Sequence, residues 1–73
     1  MRSFKEIIIE LKLFLAAGKV MKVLDKDIAL LLKINQARFA TLKKRDVTPY
    51  SELILFCKIH RFSSDKLFFR EDE

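Results

Sequence analysis

Residues 25–45, DKDIALLLKINQARFATLKKR, decide the fold that we expect for this chain. Apolar residues recur at helical spacing in the first part, where Asp25 is a good N-cap and predicts a helix over about 26–32. Asn35 is a strong N-cap type, and the segment after it predicts a second helix over 36–45. Only about three residues link the two helices, so we expect them to pack closely.

The spacing within this stretch is that of a helix-turn-helix, whose second helix enters the major groove of DNA. With Asp25 as the first position, the expected core positions hold Ile28, Ala29, Leu32, Ile34, Phe39 and Leu42. Ala29 is small where the two helices cross. Lys33 takes the ninth position, which is commonly Gly because the turn favours a positive φ, and a Lys there costs about 1 kcal/mol.

The segment before this stretch predicts a first helix over about 4–17. Ser3 and Glu6 form a capping-box pattern, and an apolar repeat at helical spacing runs from there to Gly18. Further apolar residues lie off the main stripe at Ile9, Leu13 and Ala16. The apolar arc is wider than one packing face requires, which predicts a second partner inside the fold or from another subunit.

The other segments complete an all-α prediction. We expect a loop over 18–24 and a fourth helix over 49–60. We expect a short fifth helix over about 65–69 and a frayed acidic tail over 71–73. Thr48 places a capping hydroxyl before Pro49, and Ser63 or Ser64 suits the start of the fifth helix. We therefore expect residues 1–73 to form one domain, a compact bundle of about five short helices containing a helix-turn-helix.

Composition narrows the function classes. One Cys and one His in 73 residues supply neither an internal disulfide nor a protein zinc site, and the chain has no Gly-rich phosphate loop or hydrolase motif. We expect no cofactor, no metal and no enzymatic activity. The apolar runs are too short to span a bilayer or to form a secretory signal. We expect Cys57 to be an inert core thiol. We expect His60 near a helix end and a cytoplasmic protein.

Charge points to a polyanionic partner. The formal net charge is +5, and the excess is greatest over residues 35–62, which hold six basic and two acidic residues. A basic domain of this size suits nucleic acid first and an anionic membrane surface second. Glu6 and Glu10 lie on the helix that would face lipid head groups, which disfavours the membrane.

The sequence from about residue 7 onward also resembles the N-terminal DNA-binding domain of bacteriophage CI-type repressors. The matching residues are Asp25-Lys26, Ala29, Leu42-Lys43-Lys44-Arg45, Pro49-Tyr50 and Glu52, with Ser64-Asp65-Lys66-Leu67 similar to the closing Ser-x-x-Leu segment. Lys66 departs from the family, where a Trp is frequent. The resemblance implies a five-helix lambda-repressor-like domain that binds operator DNA, usually as a dimer, either free-standing or as part of a longer regulator.

If the third helix enters the major groove, its N-terminal residues face the base edges. The base-reading candidates are Gln36, Ala37, Ala40, Thr41 and Arg38. For Arg38 the sequence leaves two contacts open, a guanine base or a phosphate. Gln36 is the strongest, because its amide donates and accepts at once and matches adenine, at about 1–3 kcal/mol for a good bidentate pair. The phosphate-contacting candidates are Asn35, Lys43, Lys44 and Arg45. The alternative reading for each of them is an ordinary solvated helix face.

These residues predict a sequence-specific transcriptional regulator, of the phage or prophage repressor type, that binds an inverted repeat in double-stranded DNA as a homodimer. No membrane or small-molecule partner is expected. The alternative is a protein–protein interaction module, an antirepressor or adaptor, on the same helical fold. Two features favour this alternative: the surplus apolar surface of the first helix and the C-terminal Leu67-Phe68-Phe69 segment.

Overall fold

The computed structural model describes residues 1–19 and 22–69 of the chain, and these residues form five α-helices and no strand. The helices are α1 (Phe4–Ala16), α2 (Asp25–Leu31), α3 (Gln36–Arg45), α4 (Tyr50–His60) and α5 (Ser64–Phe68). The predicted all-α bundle is therefore confirmed. None of the helices within the described ranges is both long and apolar enough to span a membrane. The acidic tail predicted over 71–73 lies outside the described residues.

Helix α1 begins at the predicted capping box. The Ser3 hydroxyl accepts a hydrogen bond at 3.3 Å from the backbone N–H of Glu6, and the Glu6 carboxylate accepts one at 3.1 Å from the N–H of Ser3. The helix ends at Ala17, which adopts the left-handed conformation with φ 51°. Its N–H donates to the carbonyls of Leu13 and Phe14. The predicted span of 4–17 is thus correct to within one residue.

Helix α2 begins differently from the sequence prediction. Leu24 takes the N-cap position, and its N–H donates at 2.9 Å to the carboxylate of Asp27, three residues along. Asp25, predicted to be the N-cap, is instead the first residue of the helix, so that prediction was wrong. The Asp25 carboxylate is engaged by lysines of two other helices, as described below, and Asp27 supplies the capping oxygen in its place.

Helix α3 has the predicted bounds and the predicted cap. The Asn35 side-chain oxygen accepts a hydrogen bond at 2.7 Å from the N–H of Arg38. In the turn before it, Lys33 has φ 58°, the left-handed conformation expected at that position. Its N–H donates to the Leu30 carbonyl, and that of Ile34 donates to the Ala29 carbonyl. These bonds close the tight connection between α2 and α3.

The starts of α4 and α5 give one correction and one confirmation. Among the described residues no side-chain hydrogen bond caps α4: Pro49 occupies the N-cap position, so the predicted Thr48 hydroxyl cap was wrong. The Thr48 carbonyl, by contrast, accepts a bond from the N–H of Tyr50. Helix α5 is capped by Ser63, whose hydroxyl accepts a hydrogen bond from the N–H of Lys66.

The buried face of α1 organises the core. Within residues 1–19 and 22–69 the buried hydrophobic core consists of Phe4, Ile7, Ile8, Leu11, Ile28, Ala29, Leu32, Ile34, Phe39, Leu53, Phe56, Cys57, Leu67 and Phe68. The Phe4 ring meets Phe39 of α3 edge to face at 5.6 Å, and the Phe14 ring meets Phe56 of α4 at 5.4 Å. Such aromatic pairs contribute about 0.5–1.5 kcal/mol beyond burial. Helix α1 therefore fixes α3 and α4 on one scaffold.

The C-terminal Leu67-Phe68-Phe69 segment is mostly core. Leu67 is fully buried and Phe68 nearly so, and the Phe68 carbonyl accepts a hydrogen bond at 2.7 Å from the N–H of Arg2. Of the three residues, Phe69 is the exposed one. Leu67 and Phe68 therefore do not contribute to an exposed association surface, because α5 uses them to close the bundle against the N-terminus.

Candidate nucleic-acid interface

Helix α3 presents one face to the core and the opposite face to solvent. Phe39 is buried and Leu42 is partly buried against the core. The predicted base-reading residues are all exposed: Gln36, Ala37, Arg38, Ala40 and Thr41. At about 100° per residue, Gln36, Ala37, Ala40 and Thr41 fall on one side of the helix. The fold thus brings four of the five together on one solvent-facing surface, which we call the α3 face.

The polar side chains near the start of α3 are partly committed to the helix. The Thr41 hydroxyl donates a hydrogen bond at 3.1 Å to the carbonyl of Ala37, so its methyl group is the feature left for apolar contact. The Asn35 oxygen is used in the N-cap, which leaves its NH₂ group as a donor. Gln36 is exposed at the first helical position, with an amide that offers both a donor and an acceptor.

Arg38 lies at one flank of the α3 face and is ion-paired. Its guanidinium is 2.5 Å from the carboxylate of Glu52 in α4. The guanidinium hydrogen bond lowers the pKa of Glu52 below its ordinary value, so this carboxylate is charged at neutral pH. The charge of Arg38 is therefore neutralised locally, which the sequence prediction of a base or phosphate contact did not include.

Lys43 lies at the other flank and is ion-paired as well. Its ammonium group is 2.5 Å from the carboxylate of Asp25, whose other oxygen is 2.8 Å from the ammonium group of Lys12 in α1. Hydrogen bonds from Lys12 and Lys43 lower the pKa of Asp25. Asp25 thus joins α1, α2 and α3, and Lys43 is held against the protein, unlike Lys44 and Arg45, which are exposed.

A basic groove runs beside the α3 face. It has a volume of about 380 Å³ and is lined by residues of α1, α2 and α3, including Gln36, Ala40 and Lys44. Lys5 of α1 and Lys26 of α2 also line it, and both are exposed. Neither lysine was among the predicted site residues. The sequence carries no signal for them, because only the packing of α1 and α2 against α3 brings them beside Gln36.

The described residues offer little support for other kinds of site. Residues 1–19 and 22–69 contain no group of three or more His, Cys, Asp and Glu side chains that could hold a metal ion. Cys57 is buried, and burial raises the pKa of its thiol, which disfavours the reactive thiolate. His60 is exposed in the last turn of α4, with its ring 4.8 Å from that of Phe56.

No protein-family model, no curated protein and no solved structure matches this chain. The exposed α3 face and the charged groups around it are the features of the molecule that bear on its function.

Proposed function

We propose that this chain is a sequence-specific double-stranded DNA-binding protein, a transcriptional regulator of the phage-repressor type. In this proposal α2, the turn and α3 form a helix-turn-helix whose α3 face enters the major groove. The observation that carries it is the exposed α3 face, bearing Gln36 and small side chains, next to a groove lined by Lys5, Lys26 and Lys44.

The side chains of the α3 face suit close approach to base edges. Ala37 and Ala40 are small, so the helix backbone can lie deep in a major groove about 12 Å wide. Their methyl groups and that of Thr41 match thymine methyls, while the Gln36 amide matches the N6 and N7 atoms of adenine. In this proposal these four residues read sequence, and Arg38 and Lys43 act through their ion pairs.

Several cations around the α3 face have no ion-pair partner among the described residues, and these suit the phosphate backbone. Lys44 and Arg45 lie in the last turn of α3. Lys5 and Lys26 line the basic groove beside this helix. Phosphate contacts set the position and orientation of a protein on the duplex and make its affinity depend on salt. We assign these four residues, together with the NH₂ group of Asn35, to phosphate contact.

We further propose that two copies bind an inverted repeat. Equivalent recognition helices of a dimer lie one DNA turn apart, about 34 Å, so that both enter the same side of the duplex. The protein measures 32 × 27 × 21 Å along its principal axes, so two copies side by side fit that spacing. The symmetry of the bound sequence is therefore a direct test of the dimer.

The test is selection of bound duplexes from a random-sequence library at about 150 mM salt, a condition that suppresses purely electrostatic binding. We expect an enriched inverted repeat with half-sites about one turn apart. Gln36→Ala is expected to lose preference at one position of each half-site, since it removes the amide but no charge. Recovery without enrichment, declining as salt is raised, would reduce the site to a polycation effect.

A second candidate function is a protein–protein interaction module, such as an antirepressor or adaptor. The observation in its favour is the exposure of Ile9 and Leu13 on α1, which are 58% and 63% accessible. Together with Ala16, Val23 and three lysines, Lys12, Lys19 and Lys22, they line a groove with a volume of about 430 Å³. Sedimentation of the wild type and of Leu13→Gln, with and without DNA, separates the functions. A dimer that is lost in the variant and ignores DNA favours the interaction module.

A further inference from the structure

We infer that Asp25 and Glu52 are positioning residues for DNA reading: they fix the rotation of α3 and withhold two flanking cations from the phosphates. This inference rests on the proposed DNA-binding function and assigns the source of its sequence selectivity. The inference predicts that Asp25 and Glu52, although they are acidic and lie beside a DNA-binding surface, increase the discrimination between DNA sequences.

The geometry is a two-sided clamp. Lys43 pairs with Asp25 of α2 at 2.5 Å, and Arg38 pairs with Glu52 of α4 at 2.5 Å. Lys43 and Arg38 are five positions apart, so at about 100° per residue they lie about 140° apart around α3. The buried Phe39 falls between them on the core side. Rotation of α3 in either direction would stretch an ion pair on one flank.

The Asp25 side of the clamp also involves helix α1. Asp25 also lies 2.8 Å from the ammonium group of Lys12 in α1, so its carboxylate is shared by cations of two helices. Asp25 is at the first position of α2, next to Lys26, which lines the basic groove. The clamp therefore links α3 to α1, α2 and α4.

The electrostatic consequence concerns specificity. A lysine or arginine free at the edge of the α3 face would contact the phosphates of any sequence, because every duplex carries the same backbone charge. Pairing with carboxylates removes that contribution from Lys43 and Arg38, while Lys44 and Arg45 keep theirs. With α3 held in one rotation, Gln36 meets the base edges in one register, so binding to unrelated DNA weakens relative to the chosen site.

The experiment compares Asp25→Asn and Glu52→Gln with a matched control, Glu10→Gln. Glu10 pairs with Arg2 at 3.4 Å, so the control also loses one negative charge from an ion pair, but neither residue of that pair lies on α3. Affinity for the selected site and for an unrelated duplex is measured over a salt series. We expect both test variants to bind unrelated DNA more tightly than the control does. Their salt slope should steepen by about 0.9 for each freed cation, and the ratio of specific to unrelated affinity should fall.

Three further variants distinguish positioning from a purely structural role. Asp25→Glu keeps the charge and is expected to restore the wild-type salt slope. Lys43→Gln is expected to leave the slope unchanged, whereas Lys44→Ala lowers it by about 0.9, because of these two lysines only Lys44 is assigned to a phosphate. These expectations do not depend on how stable the Asp25→Asn protein is.

Each contrary result has its own meaning. If the test variants match Glu10→Gln in slope and in affinity ratio, the clamp is overturned. If both affinities fall together with the slope unchanged, Asp25 and Glu52 serve packing alone, and the inference is wrong while DNA binding stands. If the wild type binds no DNA, the proposed function fails and this inference fails with it.

Discussion

The carboxylate of Asp46, at the end of α3, accepts a hydrogen bond at 3.1 Å from the backbone N–H of Phe4, at the start of α1. The same oxygen lies 3.4 Å from the N–H of Lys5. The first N–H groups of a helix have no partner within it, so this carboxylate satisfies two of them and complements the positive end of the helix dipole. Asp46 is therefore the C-cap of α3, and its side chain also supplies acceptors to the first turn of α1 alongside the Ser3 cap.

Asp46→Gly tests that capping contribution when it is compared with Lys33→Gly. Asp46 has φ 54° and Lys33 has φ 58°, so Gly relieves a similar backbone strain at both positions, but at Asp46 it also removes the capping carboxylate. We expect the free energy of unfolding of Asp46→Gly, relative to the wild type, to be about 1 kcal/mol lower than that of Lys33→Gly in urea denaturation. Asp46→Asn tolerates the same φ and keeps an acceptor oxygen, so its loss should be small. Equal changes in the two Gly variants would show that the contact contributes nothing.

Lys33→Gly is expected to raise stability. Lys33 has φ 58° in the turn between α2 and α3, where a side chain beyond glycine costs about 1–2 kcal/mol and the extra freedom of Gly in the unfolded chain offsets part of this gain. The net increase should be about 0.5–1 kcal/mol in urea denaturation. Lys33→Ala is the control, since it removes the charge and keeps the Cβ. A gain of the same size in the Ala variant would assign the effect to charge instead of backbone strain.

The caps that were predictable from sequence are local. Ser3, Asn35 and Ser63 each accept from the N–H of a residue three positions later, so composition and spacing alone identify them. Asp25 looked equally suitable, yet its partners Lys12 and Lys43 are 13 and 18 positions away, and the pairing depends on how three helices pack. A local pattern carries no information about that competition, which is why the cap prediction failed at α2.

The candidate site likewise has one part that the local sequence predicts and another part that depends on helix packing. The exposure of Gln36, Ala37, Ala40 and Thr41 follows from helical periodicity once Phe39 is assigned to the core. The pairing of Arg38 and Lys43, and the presence of Lys5 and Lys26 at the groove, depend on neighbouring helices. Sequence therefore identified the residues of the α3 face, but the ion pairing of the cations around it was visible only in the packed structure.

The stability contributed by Asp25 should depend on pH. Its pKa in the folded protein is lowered from the ordinary value of 3.8 by Lys12 and Lys43, so folding favours the charged form. This contribution is present above pH 3.8 and is lost as the pH falls through the lower folded-state pKa. We expect Asp25→Asn to be less stable than the wild type at neutral pH, with the difference shrinking as the pH falls below 3.8 and through the lowered folded-state pKa. Urea denaturation over this range measures it, and a difference that persists at the acid end would point to lost packing.

Lys26→Ala tests the groove itself. Lys26 is exposed in the first turn of α2 and lines the groove beside Gln36, so we expect its ammonium group to contact a phosphate whatever the base sequence. Its removal should weaken binding to the selected and unrelated duplexes by the same factor and reduce the salt slope by about 0.9, with stability unchanged. Lys58→Ala is the matched control: it removes the same charge from the exposed face of α4 and should leave the salt slope at the wild-type value. If the two variants lose affinity equally, the phosphates respond to net charge alone, and Lys26 has no place in the interface.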